Sequence, residues 1–415
     1  MKVPAISYWS LQLLLGWINF AMTAPMIYLY LGLPLVMRQQ GWSGTAIGLF
    51  QLAGLPAVLK FVLAAPVDRW ARDSAGYRRW SIVLLVGYAA SLGVLASLDI
   101  ETAGFSSLFT LAMLASLLGT WADAPVNALA IRCLPESERM RAGTIRSAAS
   151  SLGAVFGGGA MLLLHDRVGW SWPFWVMGTG LLLAVVGLCL VPSVLLTSVL
   201  GSIQKQRVGV RQWVGYFAAA QRRRWLVVLM LYFPFIGTAW VYLKPLLLDQ
   251  GLSSGQVVVV AGLLGGVVGA LGSLLGGYVT YRRGLRYALP GCAMLALFAL
   301  AALSVALVSH AGLPLLTVCT VLLALAMGAS AGLVFGMMMY YTREGLTAVD
   351  YGLQSSLFVL TRTLVPMLAG VLLDHLGYLS MLGALMVGML GVGCWSLLFV
   401  RNMGEMPSQV GRGTG

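Results

Sequence analysis

Charged residues are scarce in this sequence of 415 residues. Asp, Glu, Lys and Arg together make up 9% of it, whereas hydrophobic residues make up 59%. This composition cannot supply the polar surface that a soluble domain needs. Apolar runs of about 20 residues, long enough to cross a bilayer as helices, recur along the whole chain. The sequence therefore predicts a polytopic membrane protein.

The sequence also lacks metal-binding, redox and nucleotide-binding motifs. Its five cysteines are scattered without paired spacing and its three histidines are equally sparse, which excludes zinc, haem and iron–sulfur signatures. No glycine-rich run is followed by Lys-Ser or Lys-Thr, so a phosphate-binding loop is excluded. Clustered nucleophiles and carboxylates are lacking as well. We expect no enzymatic activity, no cofactor and no resident metal.

The apolar runs predict an all-α membrane protein with twelve spans. They lie near 10–36, 46–66, 81–98, 106–131, 144–164, 172–196, 225–248, 256–280, 287–308, 313–340, 353–373 and 378–400. The first run is too long for a secretory signal and has no convincing small-residue cleavage site after it. We expect it to be a retained span.

The basic excess of the chain, a net charge of +13, follows the loops between these spans. When the N-terminus is placed inside, the inner loops collect most arginines, and the outer connections hold Arg38 and Arg167. This asymmetry follows the positive-inside rule, which places both termini in the cytoplasm. The basic excess is therefore explained by the orientation of the chain in the membrane. We expect membrane lipid but no nucleic acid as a partner.

The longest polar interval falls midway along the chain and divides the spans into six and six. We predict an N-terminal six-helix bundle over 1–198, a cytoplasmic linker over 199–224, a C-terminal six-helix bundle over 225–401 and a cytoplasmic tail over 402–415. Segments 40–54 and 250–264 resemble each other and occupy the same place in each half. Parallel six-helix repeats predict an alternating-access transporter for a small molecule, with its site between the halves.

Lys60 and Asp123 are charges at matching depth in two spans. Lys60 lies eight residues before Asp68, and Asp123 lies nine residues before Arg132, so both are about 12–13 Å inside the bilayer. We predict an ion pair or a shared polar site, which Asn127 would extend by one helical turn. A structural staple, a proton site and a substrate contact all stay open. The alternative for Lys60 is an ammonium that snorkels to the inner interface.

Arg362 is a charge predicted to lie close to the midplane of the membrane. It lies twelve residues beyond Asp350, or about 18 Å into the membrane core. Arginine there costs at least about 2.5–3.5 kcal/mol, so its side chain should face a water-filled cavity or a carboxylate. A guanidinium suits an anionic ligand. The alternative is a packing arginine that is bonded to helix carbonyls.

Aromatic residues concentrate in the seventh predicted span, in the stretch LYFPFIGTAWVYLKP. Trp240 and Tyr242 in this stretch are candidates to line a cavity for a ring-bearing ligand. Membrane interfaces also enrich Trp and Tyr, which gives a purely structural explanation for them.

Three stretches carry a resemblance to a known family. GLPAVLKFVLAAPVDRW, residues 54–70, resembles the second-span signature of the AmpG-type branch of the major facilitator superfamily. DAPVNALAIRCLPESERMRAG, residues 123–143, is similar to the fourth-span segment of that branch, except that Asn127 replaces its second acidic residue. AVDYGLQSSL, residues 348–357, is similar to the entry to its eleventh span.

The resemblance implies a major facilitator fold, and within the branch the chain looks most like the RhtX/FptX siderophore importers, which are compact. By that resemblance it would import a siderophore, pyochelin or ferripyochelin, from the periplasm across the bacterial inner membrane. We expect a monomer in which Asp123 carries a coupling proton when Lys60 releases it. A muropeptide permease of cell-wall recycling and an exporter of a small amphiphile are the alternatives.

The resemblance also implies a gating loop that latches the cytoplasmic ends of the two halves. Its members here are Asp68, Arg69, Arg72, Arg78 and Arg79. A solvated topogenic loop explains the arginines equally well, but it explains Asp68 less readily.

Overall fold

The computed structural model describes residues 5–71, 73–98, 103–192, 210–310 and 312–401. Within these residues the secondary structure is helical, as the apolar runs predict. The predicted tail over 402–415 and residues 199–209 of the predicted linker lie outside the described residues, whereas 210–224 are described and contain the helix Val210–Tyr216 and the start of the helix Ala220–Tyr232.

Helices follow one another through the first part of the chain. They are α1 (Ala5–Ile27), α2 (Leu33–Gln39), α3 (Gly44–Phe50), α4 (Lys60–Trp70), α5 (Ser74–Ser97), α6 (Phe105–Cys133), α7 (Glu136–Val155), α8 (Met161–Val168) and α9 (Ser171–Leu190). A π-helical turn over Tyr28–Gly32 joins α1 to α2, and another over Phe156–Ala160 joins α7 to α8. A 3₁₀ helix over Gln51–Ala57 precedes α4.

The second part of the chain is built in the same way. Its helices are α10 (Val210–Tyr216), α11 (Ala220–Tyr232), α12 (Pro234–Asp249), α13 (Ser254–Val257), α14 (Gly265–Arg283), α15 (Leu285–Val308), α16 (Leu313–Tyr340) and α17 (Thr347–Arg401). A π-helical turn over Val258–Leu264 joins α13 to α14.

The described helices are long and apolar enough to form a multi-pass membrane protein. Ten of them could each cross a bilayer, and the bent pair Gln51–Ala57 and Lys60–Trp70 would make an eleventh span. The 55-residue α17 is interrupted at Gly377, whose φ of 77° is not helical, where the predicted eleventh and twelfth spans meet. The all-α membrane fold is confirmed, while the count of twelve and the cytoplasmic termini stay predictions.

Glycines allow α14 and α16 to pack at backbone distance. A Cβ atom on Gly272 or Gly276 would lie 2.5 or 2.7 Å from the carbonyl oxygen of Leu325 or Ala329, closer than real Cβ atoms come. The small-residue spacing of these glycines predicts such a close approach. The glycines of α14 therefore allow the two helices to pack closely.

Two compact units make up the chain. The first unit holds Met1–Leu134, Ala149–Trp213 and Thr342–Val359, and the second unit holds Pro135–Ala148, Val214–Tyr341 and Leu360–Gly415. Each unit thus includes one short segment from the opposite end of the sequence. The predicted division of the chain at its linker stays a prediction.

Candidate functional site

The second predicted span is broken just before Lys60. The 3₁₀ helix Gln51–Ala57 and α4 meet at an angle of 41°. Pro56 has no N–H and its ring opposes a continuous α-helix. The N–H groups of Val58 and Leu59 donate to the carbonyl oxygens three residues back, those of Leu55 and Pro56, instead of four residues back. Lys60 therefore stands in the first turn of a new helix, in the interior of a span.

Lys60 forms a buried ion pair in the first unit. Its Nζ donates to Asp123 Oδ2 at 2.8 Å and to Ser355 Oγ at 3.0 Å. Lys60 and Asp123 are each only 8% exposed, so both charges are largely removed from solvent. The ion pair that the matching depths predict is present, and the ammonium does not snorkel to the interface.

Asn127 extends this pair along α6. Its Nδ2 donates to Asp123 Oδ1 at 2.9 Å and to the Asp123 carbonyl oxygen at 2.7 Å. Asn127 is 1% exposed, and its Oδ1 has no hydrogen-bond partner among the described residues. A buried acceptor without a donor costs about 1–3 kcal/mol. The cluster therefore ends in an oxygen that could accept a hydrogen bond from a ligand or a water molecule.

The start of α17 is seated on α4 within the first unit. Ser356 Oγ accepts a hydrogen bond at 3.2 Å from the Phe61 N–H, a first-turn donor that has no partner inside its own helix. A Cβ atom on Gly352 would lie 2.9 Å from the Ala64 Cβ atom. Glycine is needed at residue 352 because the two backbones meet there.

Asp68 holds the same segment at the other end of α4. Its carboxylate accepts from the N–H groups of Ala348 and Val349 at 3.1 and 2.8 Å, and from the Tyr77 hydroxyl at 2.5 Å. These N–H groups open α17, so Asp68 caps a helix that lies far away in sequence. Its negative charge also complements the positive end of the helix dipole. Of the predicted gating residues, Asp68 has the geometry of a latch.

A second carboxylate fixes the loop that leads into α17. Arg343 donates from Nε and Nη2 to the two oxygens of Asp350 at 2.8 and 2.6 Å, and Nη2 also donates to the Gln212 carbonyl oxygen at 2.8 Å. Asp350 is fully buried. This bidentate pair holds the approach to the helix that Asp68 caps.

The arginines of the predicted gating loop make other contacts. Arg69 is exposed, with its guanidinium carbon 6.0 Å from the centre of the Trp70 ring, and Arg78 donates to the Val191 carbonyl oxygen at 3.4 Å. Arg79 is exposed. None of the three hydrogen-bonds to α17 within the part of the chain that the structure describes, and Arg72 lies outside it. A gating role for these arginines stays a prediction.

Arg362 lies in the second unit, on the inner face of α17. Pro366 and Gly370 follow it on the same helix face, and the Tyr242 hydroxyl from α12 donates to the Pro366 carbonyl oxygen at 2.9 Å. The Arg362 side chain is exposed on this packed face and makes no hydrogen bond or ion pair among the described residues. Neither a carboxylate partner nor a bond to helix carbonyls is found for it there, and the water-filled cavity predicted around it stays a prediction.

The two aromatic candidates are packing residues in this unit. Trp240 is half-buried, and a Cβ atom on Gly265 would overlap its ring. Tyr242 is half-buried and its hydroxyl is used in the bond to α17. A role for either ring in binding a ligand stays a prediction.

Sequence reasoning assigned no role to Ser355, Ser356 or Tyr77. The two serines follow Gln354 in a largely apolar helix, and such a run of polar side chains in a span could have identified them. Tyr77 gives no comparable signal, because tyrosine is common near membrane interfaces. Its bond to Asp68 depends on the tertiary structure.

These observations define the class of protein. An all-helical multi-pass fold that buries a paired lysine and aspartate inside a span is the architecture of a membrane transporter. The family model described as Major Facilitator Superfamily matches residues 10–348. The chain belongs to the major facilitator superfamily, a family of small-molecule carriers.

Curated relatives match part of the chain. The anhydromuropeptide permease of Escherichia coli (strain K12) is 26% identical over 258 residues, which cover 58% of this chain and 51% of the permease. The permease of Escherichia coli O157:H7 matches to the same extent. The chain thus spans about half the length of these relatives.

Solved structures share the fold over nearly the whole chain. A bacterial homologue of the iron transporter ferroportin, in an outward-facing state, has a TM-score of 0.71 at 13% identity and covers 94% of this chain and 99% of its own. The human organic anion transporter MFSD10 (TETRAN) has a TM-score of 0.70 at 18% identity, with 95% and 100% covered. FucP in the outward conformation has a TM-score of 0.67 at 16% identity, with 96% and 100% covered. At these identities the likeness concerns the fold alone.

Proposed function

We propose that this chain is a proton-coupled importer of a carboxylate-bearing siderophore, pyochelin or ferripyochelin, in the bacterial inner membrane. The observation that carries the proposal is the buried cluster of Lys60, Asp123 and Ser355. An ammonium inside a span is a strong attractor for an anion because few water molecules screen it. The second, fourth and eleventh spans resemble the AmpG-type branch, which contains siderophore importers as well as muropeptide permeases.

Exchange of partners at Lys60 provides the coupling. In the resting cluster the ammonium is neutralised by Asp123. When a substrate carboxylate binds the ammonium instead, Asp123 loses its counter-charge and takes up a proton, since an unpaired buried carboxylate is costly. Release of the substrate reverses the exchange and frees the proton. Ser355 keeps one hydrogen bond to the ammonium in either arrangement.

Arg362 and the α12 aromatics, all in the second unit, are proposed as candidate substrate contacts of their own. An exposed guanidinium without an ion-pair partner among the described residues is suited to a second anionic group, such as a phenolate. The rings of Trp240 and Tyr242 would face the heterocycles of the substrate. These candidate contacts await their own test.

The segment Thr342–Val359 would act as the cytoplasmic closure. Its hydrogen bonds to Lys60, Phe61 and Asp68 hold the start of α17 against α4 within the first unit. Substrate release to the cytoplasm then requires these bonds to break. Ser355 lies in this segment and also accepts a hydrogen bond from Lys60. In the proposal, binding of the substrate carboxylate to Lys60 is therefore linked to opening of the segment.

A muropeptide is the second candidate substrate. The curated relatives that match this chain are anhydromuropeptide permeases, at 26% identity over part of their length. A muropeptide also carries carboxylates, so the same exchange at Lys60 would serve it.

Uptake into spheroplasts tests the proposal. Cells that lack the protein, cells that regain it and cells that regain Lys60→Ala would receive ⁵⁵Fe-pyochelin or a labelled muropeptide, each with and without a protonophore. We expect siderophore uptake that depends on the protein, on Lys60 and on the proton gradient. Uptake of the muropeptide alone would move the protein to cell-wall recycling, and accumulation in inverted vesicles would identify an exporter.

A further inference from the structure

The turn between α14 and α15 carries an isolated concentration of positive charge. Arg282, Arg283 and Arg286 are the only Asp, Glu, Lys or Arg residues between 251 and 341. Gly284 has a φ of +78°, which favours glycine, and reverses the chain in a single residue. The three arginines therefore lie together at one end of a helix pair.

The guanidinium groups of these arginines are available to a ligand. All three side chains are exposed, and none forms a hydrogen bond or an ion pair within the described residues. The Arg-Arg pair at the start of α11 differs, because Arg222 and Arg223 donate to backbone carbonyl oxygens at 2.8 and 3.0 Å. The two pairs thus have the same charge but a different capacity to bind an anion.

Exposed tyrosines flank the arginines. Tyr278 is 56% exposed, and the guanidinium carbon of Arg282 lies 5.6 Å from the centre of its ring. Tyr287, which directly follows Arg286, is 62% exposed. Tyrosine side chains concentrate at the headgroup level of a bilayer. The rings therefore place the arginines at the depth of lipid phosphates.

We propose that this arginine turn, formed by Tyr278, Arg282, Arg283, Arg286 and Tyr287, binds the headgroup of an anionic phospholipid. Guanidinium groups bind phosphate oxygens in a bidentate manner, and several of them together suit a headgroup with two phosphates, as in cardiolipin. The first turn of α15 contains no acidic residue that would compete for them. General attraction of inner loops to the membrane explains the sign of the charge, but not the unpaired guanidinium groups between two exposed rings.

Native mass spectrometry of the full-length protein, titrated with cardiolipin, tests the proposal. The variant R282Q/R283Q should bind cardiolipin roughly 30-fold more weakly, the effect of two arginines near an anionic lipid surface. The matched variant R222Q/R223Q removes the same charge from an inner segment whose guanidinium groups are already bonded, and it should lose less than about 3-fold. An equal loss in both variants would overturn the site.

Further arms of the experiment separate binding from misfolding and from free phosphate. R282K/R283K keeps the charge and the topology, and a loss between the wild type and R282Q/R283Q is expected because lysine lacks the bidentate geometry. Full binding by R282K/R283K would show nonspecific attraction and contradict the proposal. Binding of phosphatidylcholine with equal affinity, or displacement of cardiolipin by inorganic phosphate at equal concentration, would also contradict it.

Discussion

Helix α4 in the first unit and helix α14 in the second unit use corresponding positions for different kinds of contact. Three positions, each one helical turn from the next, make corresponding contacts in the two units: Lys60 and Ser273, Ala64 and Gly277, Asp68 and Tyr281. In the first unit these positions contact α6 and the start of α17. In the second unit the matching positions contact α16 and the start of α7.

The second unit has no buried ion pair at the matching positions among the described residues. Ser273 Oγ lies 2.9 Å from Ser147 Oγ and donates to the Gly328 carbonyl oxygen at 3.0 Å. The guanidinium carbon of Arg141 lies 5.6 Å from the centre of the exposed Tyr281 ring. The first unit has a buried ion pair and a helix-capping carboxylate at the same places. The two units thus use a buried ion pair in one case and hydroxyl and cation–π contacts in the other.

The largest effect is expected at the ion pair. Lys60→Ala or Asp123→Ala alone should lower the free energy of unfolding by about 3–5 kcal/mol, because each leaves a buried charge without its partner. The double variant should lose less than the sum of the two single losses. Chemical unfolding in detergent and uptake at matched expression would measure the coupling, and simple additivity would show that the two residues act independently.

Removal of the Asp68 carboxylate should have the next largest effect. Asp68→Ala leaves two N–H groups at the start of α17 and the Tyr77 hydroxyl without their acceptor, at a cost of about 3 kcal/mol. Tyr281→Ala at the matching position should cost about 1 kcal/mol, since an exposed cation–π contact is weak. Thermal unfolding and uptake would be compared, and equal losses would contradict the proposed latch.

A bulky side chain at residue 352 should separate α17 from α4. Gly352→Leu would place atoms where the Ala64 Cβ atom and the Lys60 carbonyl oxygen lie, and we expect a loss of about 2 kcal/mol together with impaired uptake. Gly291→Leu is the control, because no atom lies within 4 Å of the position of a Cβ there. The seating of α17 on α4 would be questioned if Gly352→Leu transported normally.

The smallest effect is expected at the neutral counterpart of Lys60. Ser273→Ala removes hydroxyl bonds of a kind that contributes about 0.6 kcal/mol in membrane proteins, so unfolding and uptake should change little. The comparison between the units would fail if Ser273→Ala abolished uptake as completely as Lys60→Ala.

Depth along a helix was sufficient to predict part of this site from the sequence. Lys60 and Asp123 lie at equal distances from the inner ends of their spans, and Asn127 follows one turn along, so their meeting could be predicted without a tertiary structure. The apolar runs likewise predicted the all-α membrane fold. Both inferences use only the rise and the period of a helix.

Contacts with α17 could not be predicted in the same way. Ser355 meets Lys60 across 295 positions of sequence, and the pairing depends on which face each helix presents to the other. The backbone N–H groups that Asp68 caps carry no side-chain signal at all. The sequence pointed to Asp68 as part of a latch, but only the structure names what it holds.

Because the span is broken just before Lys60, α4 is a short helix that could tilt about its first turn, beside the ion pair. Asp68 lies about 12 Å along α4 from Lys60, so a tilt of about 10° would carry its carboxylate about 2 Å and separate it from the N–H groups of α17. The same tilt would leave Lys60, the first residue of α4, nearly in place. In the proposed opening, the bonds of Asp68 to α17 would therefore break first, and the bond between Lys60 and Ser355 would break last.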